Sequence, residues 1–297
     1  MALTEERSHR LAIGLPVRNG ENYLAAALEC LLAQTYRDFS LLISDNTSTD
    51  RTGQIGAAAA ARDPRVTYVR QDQNLGAAGN FNHVFRATRS EYFKWAAHDD
   101  LMDPTYLEKT MALLDASPGA VIAHSNSLLI NSDGRRIGRY DSQATLLHPR
   151  PSARLAASFR LDYPCAIWGV MRRSAIEQTR LHEGYLGSDW NFLGEMLLLG
   201  ELALVPEYLF SVRSHENAFS FGVQKQSKHF RLNWFDPNAK HPMKSAFRSA
   251  ARFTQATIRH PLDLHERAAC LRAIAARCLR KATVSVRRGL GVEGARA

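Results

Sequence analysis

The stretch IGLPVRNGENYLAAALECLLAQTYRDFSLLISDNTSTDRT, residues 13–52, sets the architecture of the chain. The stretch begins inside an apolar run, residues 10–17, which ends in a polar turn. Leucines then recur at helical spacing over residues 23–34. A second apolar run, residues 39–44, leads into Asp, Ser and Thr residues typical of a loop and a helix N-cap. The pattern predicts a strand, a helix, a second strand and a helix over residues 50–62.

The same alternation continues to about residue 115. Residues 66–70 and 91–97 are predicted strands, a helix is predicted near 79–88, and Pro104 opens another helix. Strands that alternate with helices indicate a Rossmann-like α/β fold with a parallel sheet and flanking helices. Ligands of such sheets bind beyond the carboxyl ends of the strands. We therefore expect the polar loops to meet at one edge; they are residues 16–22, 45–50, 74–80 and 99–100.

The pattern changes after Gly119. Residues 120–130 and 137–140 predict a strand and a return strand joined by a turn, and residues 188–200 predict a helix with Asp189 at its amino end. From Lys244 onward two amphipathic helices are predicted, after Pro242 and Pro261, and Phe247, Ala250, Thr254 and Ile258 form the apolar face predicted for the first. The organisation we expect is one domain over residues 1–220, in halves 1–115 and 116–220, and a helical extension over residues 221–297.

Composition limits the class of protein. The chain has 297 residues, of which 45% are apolar, so it can bury a large core. No run approaches the length of a membrane span, and residues 1–9 lack the features of a signal peptide, so a cytoplasmic location is expected. The four cysteines lack CxxC spacing, which predicts reduced thiols in structural positions.

The net charge of +9 is concentrated near the C-terminus. Residues 240–297 contain 13 Lys and Arg against 3 Asp and Glu, while the rest of the chain is close to neutral. This distribution argues against nucleic-acid binding, which would interleave basic and aromatic residues across the sheet. The two basic helices could lie on an anionic membrane surface or pack on the body or on a second subunit of a homo-oligomer; the sequence leaves these alternatives open.

The adjacent carboxylates Asp99 and Asp100 form a candidate metal site. Side-by-side anions repel one another unless a cation offsets their charge. Mg²⁺ and Mn²⁺ prefer carboxylate and phosphate oxygens, so either ion would suit such a pair. An acidic pair ahead of Pro104 also suits a helix cap, and the pair taken alone favours that simpler interpretation.

The order of motifs resembles the inverting glycosyltransferases of family 2, which have a GT-A fold that binds a nucleotide sugar. The matching stretches are residues 13–52, NLGAAGNFN at 74–82, YFKWAAHDDLMDP at 92–104, GSDW at 187–190 and RSHENAFS at 213–220. The resemblance covers residues 10 to about 220 and implies a nucleotide-diphosphate sugar as the donor. It also implies Mn²⁺ or Mg²⁺ as the cofactor and a hydroxyl of a saccharide or lipid-linked saccharide as the acceptor.

The resemblance implies roles for individual residues. Asp189 would be the base that takes the proton of the attacking hydroxyl. Asp100 and His215 would bind the metal. The donor would be bound by Pro16, Arg18, Asn19, Glu21, Asp45, Asn74, Gly76, Asn80 and Asp99, with Asp45 on the nucleobase and Asp99 on the ribose. The acceptor pocket would be lined by Trp168, Gly169 and Trp190.

Several of these residues also have a structural interpretation. Asp45 suits an Asx turn or an N-cap, but Asp50 fits the cap of the following helix better, which leaves Asp45 for binding. Trp168 is equally well explained as a core side chain. Many relatives have an aromatic residue at Arg18 and an acid at Ala97, so the nucleobase is not predicted and the metal motif has two carboxylates. The alternatives to glycosyl transfer are a nucleotidyltransferase and a non-catalytic homologue that binds a nucleotide sugar.

Overall fold

The structure is a computed structural model that describes residues 9–216 and 245–289, with side chains described over 247–280 in the second range. Four strands, β1 (Leu11–Val17), β2 (Phe39–Asp45), β3 (Val66–Arg70) and β4 (Tyr92–Trp95), alternate with three helices. The helices are α1 (Leu24–Leu32), α2 (Thr52–Arg62) and α3 (Gly76–Arg86). Every strand and helix predicted over residues 10–90 is confirmed, although α3 begins three residues earlier than predicted because the chain turns at Gly76, where φ is 70°.

The next elements cover residues 101–176. They are β5 (Leu101–Met102), α4 (Tyr106–Ala116), β6 (Ala120–Ile130), β7 (Arg136–Tyr140), a 3₁₀ turn (Ser142–Leu146), α5 (Pro151–Ser158), a second 3₁₀ turn (Cys165–Trp168), β8 (Val170–Arg172) and α6 (Arg173–Ile176). The remaining elements are α7 (Ser188–Leu199), β9 (Glu201–Arg213), α8 (Ser245–Arg259) and α9 (Leu264–Gly289). The predicted helices at 188–200 and after Pro242 and Pro261 are thereby confirmed.

Within the described ranges the strands form one sheet in the order β3-β2-β1-β4-β8-β6-β9-β5, and β7 pairs with β6. The first four strands are parallel, and β6 is also parallel to β9. The other pairings are antiparallel. This arrangement confirms the predicted α/β class and brings the loops after β1, β2, β3 and β4 to one edge.

The centre of the sheet is buried on both faces. All seven residues of β1 are buried, because β2 and β4 flank this strand and α3 packs across it. Gly14 allows the close approach of α3, since a Cβ at this position would lie 2.5 Å from a methyl carbon of Val84. The rigid centre fixes where the loops at the carboxyl edge begin.

The C-terminal helices pack on the body. α8 packs on α7, and α9 packs on α5 and α8. A small apolar cluster joins them; its members are Leu155, Leu198, Phe253, Ala256, Cys270 and Ile274. Phe247 and Ile258, predicted on the apolar face of α8, are 85% and 59% exposed. Phe253 is buried in their place because it packs directly against Gly194 of α7, where a side chain would leave no room for the ring.

Glu266 attaches α9 to the amino end of α5. Its Oε2 accepts the backbone N–H of Ser152 at 2.8 Å, and its Oε1 lies 2.7 Å from Arg150 Nε. Burial opposes the negative charge, but these hydrogen bonds outweigh it and lower the pKa of Glu266 to about 2. A carboxylate at a helix N-terminus is also stabilised by the helix dipole. The predicted extension therefore contacts the body over 245–289; its other residues, 221–244 and 290–297, lie outside the described ranges.

All four cysteines are free thiols in the structure, and their reduced state stays a prediction. Two of them, Cys165 and Cys270, are buried in the packed interior. None of the helices within the described ranges combines the length and the apolar composition that a membrane span requires.

Candidate functional site

Side-chain hydrogen bonds tie the loop after β1 to the loop after β2. Asn19, at a φ of 53°, donates its backbone N–H to Ser48 Oγ at 2.9 Å, and its Oδ1 accepts the N–H of Thr49 at 2.9 Å. Glu21 Oε2 accepts the backbone N–H of Arg51 at 3.1 Å. Asn19 and Glu21, both predicted to bind the donor, thus hold the two loops in register.

The loop after β3 is attached in the same way. Asn74 Oδ1 accepts hydrogen bonds at 2.9 Å from Asn46 Nδ2 and from the backbone N–H of Gly76. Asn80 is buried and pairs twice with Ser44, whose Oγ donates to Asn80 Oδ1 at 2.6 Å and whose carbonyl accepts from Nδ2 at 2.9 Å. The predicted convergence of these loops is confirmed. The predicted binding residues Asn74, Gly76 and Asn80 all have structural roles in it.

Asp45 is fully buried and both of its oxygens have partners within the protein. Oδ1 accepts the backbone N–H of Ser48 at 2.8 Å, while Oδ2 accepts from Tyr68 Oη at 2.8 Å and from Arg70 Nη1 at 3.0 Å. The prediction that an Asp50 cap leaves Asp45 for binding is therefore incomplete: Asp50 accepts the N–H of Thr52, the first residue of α2, but Asp45 also accepts the N–H of Ser48, three residues after it. A nucleobase at this edge would meet Asp45 together with Tyr68 and Arg70.

Sequence reasoning missed Tyr68 and Arg70. The side chain of Arg70 is half exposed, and this residue lies directly beside Asp45 in the register of β2 and β3. Its place at the carboxyl end of a predicted parallel strand was the available signal. Pro16, another predicted donor residue, is buried in β1 beside Ser44, and Arg18 is exposed in the loop that follows.

Arg213 fixes the acidic pair that follows β4. Its backbone N–H donates to Asp100 Oδ1 at 2.9 Å, and its Nε donates to the carbonyl oxygen of Asp99 at 2.8 Å. Its Nη1 also donates to the carbonyl of Ser132 at 2.9 Å, and the guanidinium lies over the ring of Tyr23 at 4.7 Å. Arg213 is buried, and its side chain contacts three separate segments, at Tyr23, Asp99 and Ser132. The RSHENAFS motif contained this residue, but nothing in the sequence marked it for this role.

The two carboxylates differ in their electrostatics. Burial disfavours the charge on Asp99, but His98 and the hydrogen bond from His215 outweigh it, so the pKa of Asp99 lies below its ordinary value. His215 Nε2 lies 3.0 Å from Asp99 Oδ2. Burial and the neighbouring charge of Asp99 raise the pKa of Asp100 well above its ordinary value. Asp100 is thus a carboxyl group whose ionised form a nearby cation would stabilise.

The two aspartates fit a divalent cation whose coordination shell is completed by a bound substrate. Over residues 9–216 and 245–289 no group of three or more His, Cys, Asp or Glu side chains is arranged to hold a metal ion. Mg²⁺ is commonly held by one or two carboxylates and by the phosphate oxygens of the substrate, so two adjacent aspartates are sufficient. Asp100 supplies the carboxylate whose charge is least offset by the protein. His215, the second predicted metal ligand, contacts Asp99, and its role as a ligand stays a prediction.

Asp189 lies in the first turn of α7, and its Oδ1 accepts the backbone N–H of Trp190 at 2.9 Å. α7 packs on the 3₁₀ turn Cys165–Trp168 and on β6, which places this helix on the second half of the sheet. Trp190 is partly buried between the two apolar clusters. The predicted base therefore stands at a helix N-terminus beside the elements predicted to form the acceptor pocket.

The predicted acceptor residues Trp168 and Gly169 are part of the core. Trp168 is 8% exposed, and its Nε1 donates to Tyr163 Oη at 2.7 Å. Gly169 leaves no room for a side chain, because a Cβ there would lie 2.6 Å from the carbonyl oxygen of Ala123. The structural interpretation of Trp168 is supported, and the acceptor role of both residues stays a prediction.

Comparison with known families identifies the chain. The sequence model of glycosyl transferase family 2 matches residues 12–180. The chain belongs to this family. The match confirms the resemblance given by the motifs.

Curated relatives share only part of their length with this chain. An uncharacterized glycosyltransferase of Rickettsia typhi is 31% identical over 105 residues, which are 35% of this chain and 32% of that protein. An uncharacterized protein of Mycobacterium tuberculosis is 28% identical over 200 residues, which are 66% of this chain and 56% of that protein. The chain thus spans about a third to about half of the length of these two relatives.

Solved structures share the fold. S. aureus TarS 1-349 in complex with UDP-GlcNAc has a TM-score of 0.65 at 14% identity, with 90% of this chain and 72% of that chain covered. The mannosyltransferase PcManGT from Pyrobaculum calidifontis, in complex with GDP-Man and Mn²⁺, has a TM-score of 0.54 at 15% identity, covering 93% of this chain and 76% of that chain. At these identities the likeness is one of fold, and it confirms the predicted GT-A type.

Proposed function

We propose that this chain transfers a sugar from a nucleotide-diphosphate sugar to an acceptor hydroxyl, with inversion at the anomeric carbon and with a divalent metal. The proposal rests on the position of Asp99 and Asp100 in a chain that belongs to family 2. They lie at the carboxyl edge of the sheet, beside the tied loops that surround Asp45, where ligands of open α/β sheets bind. TarS and PcManGT, which share the fold, bind UDP-GlcNAc and GDP-Man respectively.

The loops after β1, β2 and β3, which hydrogen bonds join to one another, would bind the nucleotide. The base would lie near Pro16 and the polar group made by Asp45, Tyr68 and Arg70, where the half-exposed guanidinium of Arg70 could donate a charge-assisted hydrogen bond. Asp99 would accept a hydrogen bond from the ribose, and Arg18 is an exposed cation in the loop after β1 that could meet a phosphate. The hydrogen bonds of Asn19, Glu21, Asn74 and Asn80 would keep this surface formed before the donor arrives, which lowers the entropy cost of binding.

Asp100 would hold Mn²⁺ or Mg²⁺, with Asp99 and His215 beside it. When bound, such an ion supplies a Lewis acid that offsets the charge on the departing diphosphate. Asp100 suits this role because its own negative charge has little compensation within the protein. Arg213 would keep the carboxylate oriented through the backbone hydrogen bond to Oδ1.

Asp189 would act as the general base. Inversion requires the acceptor oxygen to attack from the face opposite the diphosphate, and a carboxylate there would accept the hydroxyl proton as the new bond forms. Asp189 lies in the first turn of α7, and a helix N-terminus favours a negatively charged side chain, which suits this role. The tight packing of α7 on the turn Cys165–Trp168 would hold the base in place.

Thermal shift with UDP-, GDP- and dTDP-sugars, each with and without Mn²⁺, tests donor binding. One of these donors should raise the melting temperature in the presence of metal, and Asp100→Asn should abolish the metal-dependent part. Asp189→Asn should still show the rise in melting temperature with the donor, but it should no longer transfer sugar to a panel of saccharides and lipid extracts. Asp133→Asn, at an exposed position of the β6–β7 hairpin, is the matched control.

The reaction products distinguish a glycosyltransferase from a nucleotidyltransferase and from a non-catalytic homologue. A glycosyltransferase releases the nucleoside diphosphate, whereas a nucleotidyltransferase would release pyrophosphate from a nucleoside triphosphate. A non-catalytic homologue would show the thermal shift without either product. If no nucleotide sugar changes the melting temperature even with Mn²⁺, the proposed function is wrong.

The exposed face of the C-terminal helices would meet an anionic lipid surface. Phe247, Ile258, Leu264 and Leu279 are 85%, 59%, 81% and 69% exposed. The same helices carry exposed cations: Arg248, Arg272 and Arg280. Apolar side chains among arginines suit the interface of a membrane that contains anionic lipids, and the repulsion between arginines disfavours a second copy of this face. Such a surface would suit a lipid-linked acceptor and a cytoplasmic enzyme at the membrane.

Cosedimentation with vesicles tests this face. The chain should bind phosphatidylglycerol vesicles and not phosphatidylcholine vesicles, and the double variant Phe247→Ser with Leu264→Ser should lose binding at an unchanged melting temperature. Leu147→Ser, an exposed leucine on the body, is the control. If the double variant binds the vesicles as well as the wild type does, the face does not bind a membrane. The same conclusion follows if sedimentation shows that the wild type is a dimer and that the double variant is a monomer.

A further inference from the structure

Lys94 is a fully buried lysine in β4, the strand that leads to Asp99 and Asp100. Its Nζ donates a hydrogen bond to the carbonyl oxygen of Trp168. The ammonium also lies 5.0 Å from the ring centre of Tyr106 and 5.3 Å from that of Phe210. The side chain thus reaches from the strand of the acidic pair to the 3₁₀ turn Cys165–Trp168.

Stability alone does not explain a lysine at this place. Over the described residues no carboxylate lies within ion-pair distance of Lys94; burial lowers its pKa to about 7, although the more distant charge of Asp100 partly opposes this shift. A buried charge without an ion pair is generally less stabilising than an apolar side chain of the same volume, because the cost of desolvation exceeds the attraction that it gains. A methionine would fill the same space among Tyr106 and Phe210 without that cost.

Other buried polar groups converge on the same turn. Tyr106 Oη lies 3.3 Å from the carbonyl oxygen of Trp168 and 2.6 Å from His124 Nδ1. His124 Nε2 in turn lies 3.4 Å from Cys165 Sγ. Polar atoms of β4, α4 and β6 therefore all contact Cys165–Trp168, and that turn also packs on α7, whose first turn contains Asp189.

We propose that Lys94 is a positioning residue that fixes the turn Cys165–Trp168 relative to the strand of the acidic pair. The hydrogen bond to the carbonyl of Trp168 sets the separation between the donor side of the site, at Asp99 and Asp100, and the acceptor side, at the turn and α7. Loss of the ammonium should loosen the acceptor side and leave the nucleotide loops, which have their own hydrogen bonds, as they are. The consequence for acceptor use rests on the proposed function, whereas the effect on the turn does not.

The test compares Lys94→Met with Lys109→Met, a surface lysine of α4 that pairs with Glu207. Hydrogen exchange followed by mass spectrometry should show amides of residues 165–169 exchanging about tenfold faster in Lys94→Met, with β1 and β2 unchanged. The melting temperature should be equal to or above that of the wild type. With a saccharide or lipid acceptor found by the transfer screen, the acceptor KM should rise about tenfold while the donor KM stays the same.

Each outcome decides the question. Unchanged exchange at residues 165–169 would overturn the proposal whatever the activity. Faster exchange throughout the sheet with a lower melting temperature would show an ordinary core residue, and so would failure of both Lys94→Met and Lys94→Leu to fold. If the wild type transfers no sugar, the proposed function fails, but local loosening of the turn in Lys94→Met would still establish the positioning role.

Discussion

His215 Nε2 lies 3.0 Å from Asp99 Oδ2, so the residues just beyond β9 meet the acidic pair that follows β4. These residues are 116 positions apart in the chain. Two residues before His215, the backbone of Arg213 contacts Asp100 at 2.9 Å. Both halves of the sheet therefore build the proposed metal site, and neither half contains it alone.

Replacement of Arg213 by methionine should damage the acidic turn. The variant removes the donor of two partly buried hydrogen bonds, to the carbonyls of Asp99 and Ser132, which should lower the free energy of unfolding by about 1 to 3 kcal/mol. Metal-dependent donor binding should weaken as well, because the side chain no longer holds the backbone of Asp99, although the backbone N–H that contacts Asp100 is kept. Urea unfolding and thermal shift with Mn²⁺ measure the two effects. Arg136→Met, at an exposed position of β7, should change neither, and an equal loss there would contradict the assignment.

Replacement of Arg70 by glutamine should weaken nucleotide binding. The change removes the ion pair to the buried carboxylate of Asp45 and a hydrogen bond to the carbonyl of Ser48. We expect the dissociation constant of the donor to rise by about tenfold, the loss of one charge-assisted hydrogen bond, with the metal dependence retained. Titration calorimetry measures this dissociation constant, with the nucleotide sugar that raises the melting temperature in the thermal-shift screen as the ligand. Arg51→Gln, an exposed cation paired with Glu21, is the control, and an equal effect of that variant would remove the special role of Arg70.

His182 should make the fold sensitive to acid. Burial lowers the pKa of this imidazole to about 4, and its ring packs against Phe81, Trp95 and Phe192. An unfolded histidine has a pKa near 6.5, so the neutral ring stabilises the fold fully above about pH 6.5. That contribution is lost as the pH falls from about 6.5 towards 4, where the unfolded chain binds the proton that the folded chain excludes.

The variant His182→Phe should remove this dependence. Between pH 7 and pH 4.5 the wild type should lose roughly 2 kcal/mol more stability than the variant, measured by urea unfolding at both values. His265→Gln, at an exposed position of α9, should follow the wild type. Parallel pH profiles of wild type and His182→Phe would mean that His182 is protonated without cost in the folded state.

Replacement of Glu266 by glutamine should loosen α9 at neutral pH. The pKa of Glu266 is lowered to about 2 in the fold, so its ionised form stabilises the fold above the unfolded pKa of about 4.5. The contribution decreases as the pH falls from about 4.5 through 2. The melting temperature of Glu266→Gln should therefore lie below that of the wild type at pH 7, and the two should approach each other below pH 4. A constant difference across this range would show that the carboxylate charge is not responsible.

Most elements of this fold follow from local patterns. Apolar runs bounded by polar turns place β1, β2 and β3 to within a residue or two, because strands and helices bury side chains with different periods. The alternation of strands and helices also places the loops at one sheet edge, since parallel strands share a direction. The acidic pair and the family 2 motifs lie on these loops, so the sequence identifies the edge that binds the donor.

Contacts between distant residues could not be read from such patterns. Nothing near Asp45 indicates that Arg70 and Tyr68 will occupy its Oδ2, because the pairing depends on the register between β2 and β3. The buried face of α8 was mispredicted, since the space beside Gly194 selects Phe253 over the equally apolar Phe247. Likewise, Lys94 meets Trp168 only after β4 and the second half of the sheet have assembled. Local composition specifies the elements, but steric fit and long-range hydrogen bonds select which of their side chains meet.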